Sequence, residues 1–246
     1  MFRHLVLAGL AGVLGACRSH AGPGTTEDAA RRAAGDAAAR IVAVPVYEEP
    51  RHRPVYQNRY VRVLDVRVPA GDTTGYHVHA DRNVGVVISG ARTWAQPPRG
   101  SPSAAGLPDS VGAVFENWKQ PLPYTHRVGN ADTVAFHYVV GDFLAPSGVD
   151  APPLPETSAT RLVAEGVLAR VYRVVLAPGA SAGVHSHAAP GLTVQVTAAA
   201  PEDAGGSPAA HGGSGPGAWH WRDAGYRHSL RNAGAASVTL VEIDWR

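Results

Sequence analysis

One cysteine, at position 17, is all the thiol chemistry in this 246-residue chain. Internal disulfides are therefore excluded, and so is thiol catalysis by anything beyond the N-terminal segment. Charge is scarce too: 17% of residues are charged, the formal net charge is +2, and no block of one sign occurs. That excludes the electrostatic footprint of a nucleic-acid binder. Only residues 5–14 form a sustained apolar run, too short to span a bilayer as a helix. No Gly-rich phosphate loop precedes a helix, no Gly-x-Ser-x-Gly elbow occurs, and no helical period is evident after residue 41. Hydrophobic residues nevertheless make up 45%, enough to build a core rather than a disordered chain.

What the chain has in quantity is turn formers. Its 28 glycines and 20 prolines outnumber the charged residues, which suits many short strands. Arg3 and His4 precede the apolar run, which ends at Leu14-Gly15-Ala16-Cys17. This segment resembles a bacterial lipobox. The resemblance implies a signal peptide over residues 1–16, a lipidated Cys17, and an exported protein that meets the membrane through its anchor only. Arg18 after the cysteine favours the outer membrane, facing the periplasm. An ordinary signal peptide cut near Ala21 is the alternative. Residues 17–44, rich in Ala and Gly, read as a tether.

An internal repeat organises the rest. Arg62, Gly71, Gly75, His77 and His79 map onto Arg170, Gly179, Gly183, His185 and His187 with one constant shift. Tyr124, His126 and Asn130 match Tyr226, His228 and Asn232 at a slightly shorter shift, the difference falling in Gly/Pro/Ser-rich loops at 97–110 and 200–217. Two domains follow, 45–150 and 156–246, joined by the Pro-rich residues 151–155. The segments 61–66, 84–89, 134–140 and 237–243 read as strands.

In a strand His77 and His79 share a face, as do His185 and His187. A third imidazole from another strand, His126 or His228, would give each half a three-nitrogen site with open positions. Six of the twelve histidines fall at these repeated places. A buried hydrogen-bond network without metal is the alternative. His137 has Thr239 as its counterpart and is left outside the site, while His211 and His220 read as solvated loop residues.

These residues resemble the two motifs of the cupin superfamily: Gly75, His77, His79 and Gly90, then Pro123, His126 and Asn130, with Gly225, His228 and Asn232 in the second copy. The likeness spans roughly residues 45–246. It implies an all-β protein, two tandem double-stranded β-helix (jelly-roll) barrels with metal in their mouths. One departure stands out. Where cupins carry a glutamate after the histidine pair, this chain has Asn83 and Val84, or Gly191 and Leu192. The fourth ligand is expected to be absent unless Asp81, Asn83 or Glu116 reaches in. Three neutral imidazoles leave the ion its full charge and favour an anionic small-molecule ligand.

The first copy reads as the better preserved, with Tyr76, Glu116 and Tyr124 as candidate catalytic residues. Imidazole ligands suit a divalent ion such as Zn, Fe, Mn, Cu or Ni. The expectation is thus an envelope-anchored metal-binding bicupin, dioxygenase- or isomerase-like towards a small organic acid. The alternative is a non-catalytic binding or structural lipoprotein. Glu116 and Tyr124 inside the barrel would favour catalysis, and the same residues in solvent would favour binding.

Overall fold

The computed structural model describes residues 41–205 and 214–246. The signal peptide, Cys17, most of the tether and His211 lie outside the described residues. Ile41–Arg246 form one compact unit. Its strands in the first half are β1 (Val44–Pro45), β2 (His52–Gln57), β3 (Val61–Val68), β4 (His77–His79), β5 (Asn83–Ser89), β6 (Thr93–Gln96), β7 (Val114–Glu116), β8 (Tyr124–Asn130) and β9 (Phe136–Phe143). The second half supplies β10 (Thr160–Glu165), β11 (Ala169–Leu176), β12 (Ser181–His187), β13 (Gly191–Gln195), β14 (Glu202–Asp203), β15 (Trp219–Arg222), β16 (Tyr226–Arg231) and β17 (Val238–Trp245). A single 3-10 turn, Val46–Glu48, is the sole helical element among the described residues.

Each half builds two sheets. The first half has the orders β2-β3-β9-β5-β7 and β1-β4-β8-β6, the second β10-β11-β17-β13-β15 and β12-β16-β14. The parallel shift of β3, β4, β5, β8 and β9 onto β11, β12, β13, β16 and β17 reproduces the repeat strand by strand. Among the described residues no strand pairs across the halves. In the first half, residues of both sheets line one cavity, so the sheets face each other as the walls of a barrel.

Side-chain parity decides where each strand's apolar groups go. On β3, Leu64, Val66 and Val68 fill the barrel interior with Val87, Phe136, Tyr138 and Val140. Val61 and Val63 point the other way, into a second core shared with Val171, Leu192, Val194, Trp219, Trp221, Ile243 and Trp245. The two five-stranded sheets therefore pack back to back and are covered on both faces. That is why residues 84–88 read as a continuous apolar run instead of an alternating one. Trp245 stacks on Phe143 across this seam at 4.5 Å, and Tyr60 stacks on Trp221 at 6.2 Å.

The seam is pseudo-symmetric. Gly112 (φ +76°) lies against Val196 and Thr239 of the other barrel, and Gly217 (φ +88°) lies against His137. Thr239 and His137 are counterparts in the repeat, and each glycine N–H donates to the matching strand carbonyl, Val87 O or Gln195 O, at 2.8 Å. Only glycine takes a left-handed φ this close to a neighbour without strain. His137 thus faces neither cavity nor solvent. It is buried at the seam, with Nε2 2.8 Å from Asp65 Oδ1.

Candidate metal centre

Antiparallel pairing of β4 with β8 sets His77 directly opposite His126, and pairing of β12 with β16 sets His185 opposite His228. His79 and His187, two residues on, complete each group from the same face. In the first barrel the nearest nitrogens of His77, His79 and His126 lie within 4.8 Å of one another. In the second, His185, His187, His228 and a carboxylate, Glu242, meet the same limit.

The second barrel shows why such a cluster fits a cation. His185 Nδ1 donates to Gly183 O (3.3 Å), His187 Nδ1 to Asp244 Oδ1 (2.8 Å) and His228 Nδ1 to Asp203 Oδ2 (3.2 Å). Carbonyls and carboxylates only accept, so these partners place a proton on every Nδ1 and leave every Nε2 with its lone pair. Those three Nε2 atoms crowd together, His228 to His185 at 2.9 Å and to His187 at 3.2 Å. Glu242 reaches them at 3.4 to 3.7 Å, and its Oε2 is buried without a hydrogen bond. Burial alone would raise the Glu242 carboxyl, but the surrounding imidazoles and Arg222 outweigh it and keep the group ionised. Four converging acceptors with no donor among them suit a divalent ion, and imidazole-plus-carboxylate donors suit first-row metals.

The first barrel offers three ligands instead of four, and an acceptor fixes the Nδ1 proton on His77 alone. His77 Nδ1 donates to Gly75 O at 3.0 Å, and its Nε2 is fully buried with no partner. His79 Nε2 lies 3.1 Å from His126 Nε2, and the Asn83 amide lies 3.2 Å from His79 Nδ1. Burial pushes His77, His79 and His126 down to about 3, 2 and 4, so all three are neutral at pH 7, the charge state in which imidazole binds a metal.

The expectation that the fourth ligand is missing holds for the first barrel and is corrected for the second. Gly191 has no room for a side chain: a Cβ there would meet the Ile243 carbonyl oxygen at 2.2 Å and Arg222 Nη2 at 2.7 Å. Arg222 bonds Asp244, and the carboxylate comes instead from Glu242 on β17. Its register partner is Thr193, whose counterpart Gly85 pairs with Val140. The first barrel therefore has valine where the second has its glutamate. Among the residues considered as reaching in, Asp81 turns to Arg62 (3.6 Å), Asn83 supports His79 from outside, and Glu116 is exposed and accepts the Trp118 N–H. Val84 and Leu192 point into the seam. The ranking of the two copies is likewise corrected: by donor count the second centre is the more complete.

Of the candidate catalytic residues, Tyr124 lines the first cavity with its ring stacked on His79 at 4.5 Å. Glu116 stands at the rim of that cavity, in solvent. Tyr76 points away, its hydroxyl 3.4 Å from Pro97 O and its ring beneath Arg127. The discriminating pair is thus split, one in and one out. Tyr76 leaves the site because it has the opposite parity to His77.

Three residues escaped the motif-centred reading. Glu49 and His52, from the chain before β3, form a buried pair at 2.8 Å. His52 lies 4.3 Å from the His77 ring and accepts from the Tyr138 hydroxyl at 3.3 Å, while Glu49 also accepts the Gly75 N–H at 3.0 Å. His220 is no loop residue. It sits on β15 and lines the second cavity. The cavities measure about 360 Å³ in the first barrel and about 180 Å³ in the second.

No protein-family profile and no curated protein sequence matches the chain. Solved structures do. AerE from Microcystis aeruginosa is similar over 80% of this chain and 98% of its own, at 11% identity and TM-score 0.54. A salicylate 1,2-dioxygenase from Pseudaminobacter salicylatoxidans matches over 79% and 76%, at 12% identity and TM-score 0.54. YhaK from Escherichia coli matches over 78% and 90%, at 11% identity and TM-score 0.51. At such identities the likeness is one of fold. With the repeated histidine motifs and the paired barrels, that likeness gives this chain a bicupin fold, two jelly-roll barrels in tandem.

Proposed function

We propose that this chain is a metal-dependent bicupin that binds a small anionic molecule at its ions, with oxygenation or isomerisation of an organic acid as the reaction class. The observation that carries the reading is the second centre, where four acceptors converge with no donor. His185, His187, His228 and Glu242 would hold one ion, and His77, His79 and His126 the other. A bound divalent ion supplies Lewis acidity and, for a redox-active metal, one-electron chemistry.

The chain's own residues do the rest. In the first barrel Val46, Leu64, Phe115 and Val140 keep the cavity apolar, and Asn117, Gln120 and Tyr124 offer neutral hydrogen bonds. No Lys or Arg lines it among the described residues, so an anionic group would find its countercharge at the ion. Three neutral imidazoles leave that charge undiminished. That one structure of this fold is a salicylate dioxygenase agrees with such a ligand class. Export and lipid anchoring at Cys17, at the periplasmic face of the outer membrane, belong to the same proposal and rest on residues 1–18 alone.

Elemental analysis of the purified protein tests the reading. Wild type is expected to carry up to two ions per chain, with one lost in His77→Ala and the other in His185→Ala. Metal content unchanged by both substitutions would remove the metal from the proposal.

A further inference from the structure

Register places one row of residues across the inner face of the second barrel's large sheet. Glu242 on β17 pairs with Thr193 on β13, and Thr193 pairs with His220 on β15. Thr193 is satisfied, donating to Glu242 Oε1 and accepting from Arg222 Nε at 2.9 Å. His220 is not. Its Nε2 is buried and has no hydrogen-bond partner, in a cavity lined by Ala200, Pro201, Trp219 and Leu240 and also by Gln195, Asp203 and His228. A buried polar atom left unpaired costs about 1–3 kcal/mol, so its retention asks for a partner the protein alone does not supply. The first barrel makes the contrast plain. There the equivalent position, paired with Gly85 as His220 is with Thr193, is Phe115. A hydrogen-bonding ring thus stands in one barrel where the other has an apolar ring.

We propose that His220 is the second anchoring point of a ligand site in the second barrel, which takes a short bifunctional acid with one end at the ion held by Glu242 and the other hydrogen-bonded to His220 Nε2. This rests on the metal reading above and extends it, since it makes the second barrel a ligand chamber as well as an ion site. Adjacent strands lie about 4.8 Å apart, so Glu242 and His220 stand roughly 10 Å apart at the backbone. His220 lines the cavity with Thr193 and His228, and buried Glu242 stands 3.4 Å from His228 Nε2, a spacing that suits a dicarboxylate or hydroxy acid of a few carbons. A one-ended acid such as acetate satisfies the ion and leaves His220 unpaired. Burial, with Arg222 nearby, pushes His220 down to about 4, so at pH 7 the neutral ring offers a hydrogen bond and not a charge.

Calorimetric titration of the zinc-loaded full chain with malonate and with acetate tests this, zinc content being measured in parallel. His220→Phe installs the ring that the first barrel carries and preserves packing; His220→Gln keeps a hydrogen bond and guards against a folding failure. Wild type is expected to bind malonate more tightly than acetate. His220→Phe should weaken one class of malonate site about tenfold, the worth of one hydrogen bond to a charged group, with acetate binding and zinc content unchanged and His220→Gln intermediate. Malonate binding unaltered in His220→Phe, or absent from the zinc-loaded wild type, overturns the inference while leaving the metal centres standing. Zinc lost with His220→Phe overturns it too, by making the ring part of the ion's support. A wild type that takes up no zinc overturns both readings.

Discussion

Glu242→Val is expected to lower ion affinity in the second barrel by a hundredfold or more while leaving the first barrel's ion in place. Valine is the residue the first barrel carries at this position, so the substitution gives both centres the same three-imidazole set. The carboxylate is fully buried, carries a negative charge and sits 3.4 to 3.7 Å from three imidazole nitrogens. Removing a partner that only orients a ligand costs 10–100-fold in affinity. Removing an anionic donor should cost more. Calorimetric titration of the chelator-stripped protein reads the result directly: two unequal sites in wild type become two similar ones, the second having fallen to the affinity of the unchanged first. Unchanged affinity would mean that Glu242 is only the counter-ion of Arg222 and the histidines.

The largest stability effect is expected from Trp245→Ala, at about 4 kcal/mol. The indole is fully buried, stacked on Phe143 of the other barrel at 4.5 Å and edge-on to Trp221 at 5.7 Å. It also fills the space over Gly141, where a Cβ would meet it at 2.7 Å. Truncating a buried Trp to Ala typically costs about 3–5 kcal/mol, because the cavity adds to the lost transfer energy. Against a total of roughly 5–15 kcal/mol, that brings the protein close to unfolding at its working temperature. Guanidinium unfolding should show the midpoint falling for both barrels together, since the lost contact joins them. A shift confined to the second barrel would mean that the seam contributes little.

How far these features were legible in the sequence depends on whether they sit within a motif or across a sheet. The His-x-His pairs follow a glycine turn at the same offset in each half, so the repeat announces His77, His79, His185 and His187 as neighbours on one face. His126 and His228 follow from the second repeated segment. Glu242 is harder to see. It lies in β17 among Val238, Leu240, Val241 and Ile243, in a strand covered on both faces, and its relation to Thr193 and the histidines exists only through strand pairing. Parity was the available signal: Leu240, Glu242 and Asp244 share a face, and two acids alternating inside an apolar strand are costly unless paired. The motif offset after each histidine pair holds Asn83 or Gly191 instead of an acid, and at Gly191 a Cβ would run into the Ile243 carbonyl and Arg222. His52 and Glu49 precede the repeated unit, and Thr160, the residue that matches His52 in strand register, carries no imidazole. His220 sat beside a Gly-rich stretch and took on its character, though Trp219 and Trp221 on either side mark a strand with one buried apolar face and one inward polar one.

The central claim is that imidazoles from separate strands meet at one ion in each half of a duplicated chain. Its most direct test is an anomalous difference map from crystals of the protein grown with a divalent transition metal. The account predicts two peaks per chain, one bounded by His77, His79 and His126, the other by His185, His187, His228 and Glu242. Peaks elsewhere, or none in either barrel, would contradict it.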